Sequence, residues 1–124
     1  MALDCAPRDA RDCLLFVYGS LKRGGTNHHQ LRAAEYLAEA RTAPGFALRL
    51  IAGYPALVAG SGAVLGELYR IPNSALPALD EFEGDAYVRR EVELGSGQRA
   101  LAYLSRVPEA GESYPGNEWP TPAD

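Results

Sequence analysis

Cys13-Leu-Leu-Phe-Val-Tyr18 is the stretch on which the fold turns. It is apolar throughout, short, and stopped by Gly19. Such a run reads as a buried strand, because a strand with one wet face would alternate polar and apolar residues. Upstream, residues 1–12 carry Asp4, Arg8, Asp9, Arg11 and Asp12 without an apolar core, so they read as a flexible leader and not as a secretory signal. Residues 13–124 then make a single domain of ordinary size.

Downstream of the glycine, Asn27 offers a helix N-cap with Gln30 three places on. Leu31, Ala34 and Leu37 share one helical face, which predicts a helix through about Ala40. Ala47-Leu-Arg-Leu-Ile51 and Ala56-Leu-Val58 flank a break at Gly53-Tyr-Pro55. Residues 63–71 read as a strand with Leu65, Tyr69 and Ile71 on one face. A short helix follows, capped by Asn73 or Ser74, tolerating Pro77 in its first turn and ending at Gly84. Residues 87–94 and 98–105, joined by Gly95-Ser-Gly97, predict a hairpin. The tail after Val107 reads as irregular. Strands and helices do not alternate strictly, which disfavours a doubly wound nucleotide fold and gives an α+β class.

The formal net charge of −4 argues against nucleic acid and against an anionic membrane surface as partners, since both require a basic face. No apolar run approaches the length of a bilayer span. The two cysteines, Cys5 in the leader and Cys13 in the apolar run, show no Cys-x-x-Cys spacing. No disulfide framework is expected, and a reducing cytoplasm fits best.

Three features could carry chemistry. The turn Tyr18-Gly-Ser-Leu-Lys-Arg-Gly-Gly25 could present successive backbone N–H groups as a nest for a carboxylate or an oxyanion, with Lys22 and Arg23 adding positive charge nearby. An ordinary glycine turn with a solvated basic pair is the commoner meaning of such a stretch. In Leu79-Asp-Glu-Phe-Glu-Gly84, Leu76, Leu79 and Phe82 are expected to face the core, while Asp80, Glu81 and Glu83 oppose the helix dipole. A glutamate partly desolvated against Phe82 would have a raised pKa and could shuttle protons, although a solvated helix end is again commoner. Glu67 falls on the apolar face of its strand, where a carboxylate needs a partner such as Arg89 or a role in the site. His28-His29 is a poor metal pair without a third ligand, so no metal is expected. A serine triad through Ser20 and His28 lacks a placed third member and a Gly-x-Ser-x-Gly elbow.

Four segments in order resemble the γ-glutamylcyclotransferase superfamily: Phe16-Val-Tyr-Gly-Ser-Leu-Lys-Arg-Gly24, Gly66-Glu-Leu-Tyr69, Leu79-Asp-Glu-Phe-Glu-Gly84 with Tyr87 and Arg89, and Ala102-Tyr-Leu104. With Asn27-His28 and Ile51-Ala-Gly53, the wording resembles in particular the γ-glutamylaminecyclotransferase branch and its small bacterial relatives. The likeness spans residues 14–105 and leaves out the leader and the tail past Val107. It implies a compact mixed β-barrel with about two flanking helices. It also implies an enzyme without a cofactor, in which the α-amine of a γ-glutamyl amine or γ-glutamyl amino acid attacks its own γ-carbonyl, releasing 5-oxoproline and a free amine. By residue, it implies Glu83 as the general acid and base, Tyr18, Gly19, Ser20 and Leu21 as the loop that grips the glutamyl group, and Tyr103 as a pocket tyrosine bonding substrate or Glu83. Two other classes remain open: a non-catalytic module that binds a glutamyl group in the same pocket, and an acyl-transfer hydrolase using Ser20.

Overall fold

The computed structural model describes residues 12–25, 27–107, 109 and 111–119. Most of the expected leader, with Cys5, lies outside them. Strand β1 (Asp12–Val17) runs through the middle of the molecule. Its side chains alternate between two apolar clusters. Cys13, Leu15 and Val17 enter one, with Tyr69, Ile71, Leu76 and Leu79. Phe16 and, just past the strand, Tyr18 enter the other, with Leu48, Leu57 and Leu68. Burial on both faces is the physical reason for the unbroken apolar run, and each leucine so buried contributes roughly 2 kcal/mol.

Around β1 stand β2 (Glu35–Arg41), β3 (Phe46–Ile51), β4 (Tyr54–Ala59), β5 (Leu65–Pro72), β6 (Tyr87–Glu93), β7 (Arg99–Ser105) and β8 (Glu112–Ser113). The sheet order is β2-β5-β1-β7-β4-β3-β8, with β6 joined to β7. Among the described residues β2 pairs only with β5 and β8 only with β3, so the sheet is open and the expected barrel is not closed. The cause lies at β7. One of its edges pairs along its whole length with β6, while the other is shared by single parallel bridges to β1 (Leu15 with Leu101) and β4 (Leu57 with Leu104). The sheet branches there instead of wrapping round.

The expected helix over 27–40 is not formed. A 3-10 turn at His28–Leu31 is followed by β2. Asn27 makes no side-chain cap, and of the helical stripe only Leu31 is buried. The segment 35–41 instead satisfies its backbone against β5, with a bulge between Tyr36 and Ala38 and the Tyr36 and Tyr69 rings edge to face at 5.6 Å. Cross-strand pairing over seven residues outweighs a weak helical spacing. The second expected helix is present as α1 (Leu76–Glu83), ended by Gly84 at φ 81°. It is the one α-helix among the described residues, and not one of two. The hairpin of β6 and β7 forms as expected, and the tail adds only the two-residue β8. Cys13 is buried as expected but is disulfide-bonded, so the cysteines do not argue for a reducing compartment. Among the described residues no helix is long and apolar enough to cross a membrane.

Candidate active site

A cavity of about 350 Å³ opens where β1 ends, α1 ends and the β3–β4 hairpin turns back. The chain leaves β1 at Tyr18 and cannot continue as a strand, because Lys22 N–H bonds back to the Gly19 carbonyl at 3.0 Å. Gly25 N–H closes on the Lys22 carbonyl at 2.8 Å, and Asn27 N–H on the Ser20 carbonyl at 3.0 Å. These bonds consume the loop's carbonyls. The N–H groups of Gly19, Ser20 and Leu21 have no acceptor among the described residues, and all three residues line the cavity. Successive N–H groups left over in a turn are what an anion nest requires. Gly19 has to be glycine for the hairpin to approach, since a Cβ there would lie 2.8 Å from Pro55 Cγ.

Tyr18 lines the cavity with a side chain that is already committed. Its hydroxyl donates to the Tyr103 carbonyl and accepts Leu57 N–H at 3.0 Å, locking the loop's base to β4 and β7. Burial raises its pKa well above the ordinary tyrosine value. Ser20 Oγ accepts the Asn27 side-chain amide at 2.8 Å. His28 turns its Nδ1 to the Leu21 carbonyl, 2.9 Å away, so it braces the loop instead of approaching Ser20. That arrangement leaves Ser20 without a base and removes the structural support for a serine hydrolase. Lys22 and Arg23, expected to add charge near the pocket, both face away: Lys22 Nζ bonds the Trp119 carbonyl, and Arg23 stacks 3.8 Å from the Tyr36 ring centre.

Glu83 enters the same cavity from the last turn of α1. Burial, and then repulsion from Asp80, raises its pKa from 4.5 to about 7. Leu76 and Leu79 anchor the helix in the core as expected. Phe82 does not: it is 39% exposed and forms part of the cavity wall. Helical phase keeps residues 82 and 83 on the face of Leu79, one turn further on; at this last turn of α1 that face meets the cavity and not the core. Tyr103 also lines the cavity, but its hydroxyl donates to Asp80 Oδ1 and not to Glu83. Asp80 is further held near Arg89, 3.3 Å from Nη1 to Oδ2. Arg89, one possible partner for Glu67, therefore pairs elsewhere. Glu67 takes Arg23 instead.

The sequence reading missed several cavity residues. Tyr54, Pro55, Ile51 and Ala52 come from the β3–β4 hairpin, a two-residue turn with Ala52 at φ 53° and Gly53 at φ 85°. Nothing local places that hairpin over the loop. Tyr87 also lines the cavity and donates to the Pro55 carbonyl at 2.9 Å, and Asn27 lines it beside Ser20. Both stand in the motif segments, but neither carried a predicted role in the site, Asn27 being read as a helix cap. Among the described residues no cluster of His, Cys, Asp or Glu could hold a metal.

The family description of gamma-glutamyl cyclotransferase, AIG2-like proteins matches residues 15–121, so the likeness extends through the tail that the motifs had left out. The chain is 30% identical over 107 residues to a gamma-glutamylcyclotransferase family protein of Escherichia coli K12, covering 85% of this chain and 94% of that one. It is 36% identical over 106 residues to gamma-glutamylaminecyclotransferase A of Danio rerio, covering 73% and 66%. A solved AIG2-like protein from Mus musculus superposes with a TM-score of 0.68 at 26% identity, over 92% of this chain and 98% of that one. The chain belongs to the gamma-glutamyl cyclotransferase, AIG2-like family, a family of enzymes.

Proposed function

We propose that the cavity cyclises a γ-glutamyl amide, with Glu83 moving the protons and the Gly19–Leu21 N–H groups holding the glutamyl portion. The observation that carries this reading is a carboxyl with a pKa of about 7 in a cavity also lined by three residues whose backbone N–H groups have no acceptor among the described residues. The nucleophile is the substrate's own α-amine, so neither serine nor cysteine is required. The new C–N bond forms at the γ-carbonyl and the amide C–N bond breaks. An α-ammonium brings three protons and the lactam nitrogen keeps one. The other two pass to the leaving nitrogen, which departs as an ammonium, and no water is consumed. A group with a pKa near the working pH is populated in both forms, so Glu83 can accept each proton and return it. The loop N–H groups suit the two anionic features of the substrate, its α-carboxylate and the oxyanion that develops on the γ-oxygen. Tyr103 and Tyr18 shape the pocket while their hydroxyls hold Asp80 and the loop base. No resident cofactor is called for.

The test is release of 5-oxoproline from γ-glutamyl-ε-lysine and a panel of γ-glutamyl dipeptides. Turnover of any of them supports the reading. Tight binding of glutamate or 5-oxoproline with no turnover of any substrate would instead make the chain a glutamyl-binding module.

A further inference from the structure

We propose that Glu67 is a positioning residue for the glycine loop: its carboxylate holds the loop backbone at Arg23 from behind and so sets where the Gly19, Ser20 and Leu21 N–H groups point. This rests on the reading that those N–H groups hold the glutamyl portion of the substrate.

Glu67 sits on β5 directly opposite Val17, the last residue of β1, where the chain leaves the sheet for the loop. It is 9% exposed and does not line the substrate cavity, so it has no path to the reacting atoms. Its Oε1 accepts the Arg23 backbone N–H at 2.8 Å and the Tyr69 hydroxyl at 3.0 Å. Its Oε2 lies 3.5 Å from Arg23 Nε. The Arg23 guanidinium is half exposed and partly committed to Tyr36, so the ion pair contributes little. The buried bond from the backbone N–H to a carboxylate is the strong component.

The loop's own backbone bonds explain why this contact matters. The bonds at Gly19, Ser20, Lys22, Gly25 and Asn27 join the loop to itself. They fix its shape but not its attitude relative to the sheet. Tyr18 fixes the entry to the loop. Glu67 fixes it two residues past Leu21, so the three N–H groups hang between two tethers. A buried carboxylate that faces the back of a site and holds its backbone is thereby separated in role from Glu83, which faces the substrate.

The experiment compares wild type with Glu67→Gln, Glu67→Asp and Glu67→Met, reading amide hydrogen exchange over residues 19–25 and steady-state kinetics on the same preparations. Glutamine keeps an acceptor for Arg23 N–H, aspartate withdraws it by one methylene, and methionine fills the space with none. Expected are wild-type-like exchange with a fall of about threefold or less in kcat/KM for Glu67→Gln, and faster loop exchange with a fall of about thirtyfold or more for Glu67→Met, with Glu67→Asp between. The pH profile keeps the limb set by Glu83 in every variant. Loss of activity in Glu67→Gln with the loop still protected would make the carboxylate charge itself the working group and overturn the assignment. Loop exchange and kcat/KM that vary independently across the series overturn it as well. If Glu67→Met does not fold, the aspartate and glutamine variants decide by the same criterion. If wild type releases no 5-oxoproline, the functional reading falls, and loop exchange alone then decides whether Glu67 holds the loop.

Discussion

At the scale of one residue, Glu83 shows how a site is built against stability. Burial strips water from its ionised form and Asp80 repels it, so the folded carboxyl holds its proton more tightly than an unfolded one. A raised folded pKa means that stability is fully present below about 4.5 and is lost as pH rises from there through about 7. Above that window the ionised side chain costs about 3 kcal/mol. Glu83→Gln removes this cost together with the proton carrier. Its melting temperature is therefore expected to match wild type near pH 4.5 and to exceed it by several degrees at pH 8, while 5-oxoproline release falls by about 100- to 10,000-fold. A melting gain equal at both pH values would show that packing, not ionisation, is the cause. In wild type, kcat/KM is expected to rise with pH through a limb near 7, as the carboxylate needed to accept the first proton forms. Three carboxylates crowding the wrong end of a short helix drew attention to that turn, and the family resemblance then singled out Glu83 among them. Sequence alone could not give the size of the shift, which depends on how deeply the rest of the fold buries the acid.

At the scale of the element, the loop from Tyr18 to Asn27 holds a second required glycine, and here the obstacle is backbone and not the Pro55 ring that faces Gly19. A Cβ on Gly25 would lie 2.2 Å from the Ser20 carbonyl oxygen and 2.7 Å from its carbon. Both are backbone atoms, so no rotamer relieves the clash and the loop must open. Gly25→Ala is expected to lower kcat/KM by more than about tenfold by displacing the neighbouring N–H groups, and to lower the melting temperature as well. Gly97→Ala is the control. It strains a φ of 92° in the β6–β7 turn but meets nothing within 4 Å, so it is expected to cost about 1 kcal/mol of stability and leave turnover per folded molecule unchanged. If both variants lose activity in proportion to their stability, the loop geometry carries no special weight. The same elements mark how far the sequence could be read. The apolar run of β1 and the glycine-linked hairpin were legible because their partners or their burial are encoded locally. Residues 35–41 were misread because Leu31, Ala34 and Leu37 keep a helical spacing, whereas the contest was decided by β5, some thirty residues on in the chain.

At the scale of the whole molecule, closure into a barrel could not be read from a string of strands, because it depends on which edge of β7 each neighbour takes. Nor could the use of the tail. Residues 112–119 look irregular, yet they tie together β3, β5 and the glycine loop. Tyr114 N–H bonds the Leu48 carbonyl at 3.1 Å, the Asn117 carbonyl accepts Leu65 N–H at 2.9 Å, and the Trp119 carbonyl takes the ammonium of Lys22, which is only 6% exposed. Ending the chain after Ser113 removes all three partners at once. It leaves a buried ammonium and a strand N–H without acceptors, each worth about 1–3 kcal/mol. The shortened chain is expected to melt about 5–15 °C below wild type, with faster amide exchange at residues 19–25. The origin of that loss can be separated. Replacing Lys22 by methionine in the shortened chain removes the stranded charge, and should recover part of the melting temperature, although the same Lys22→Met change in the full-length chain should lower it. A tail that acted only by covering apolar surface would give no such reversal, because the ammonium would then be indifferent to whether Trp119 is present.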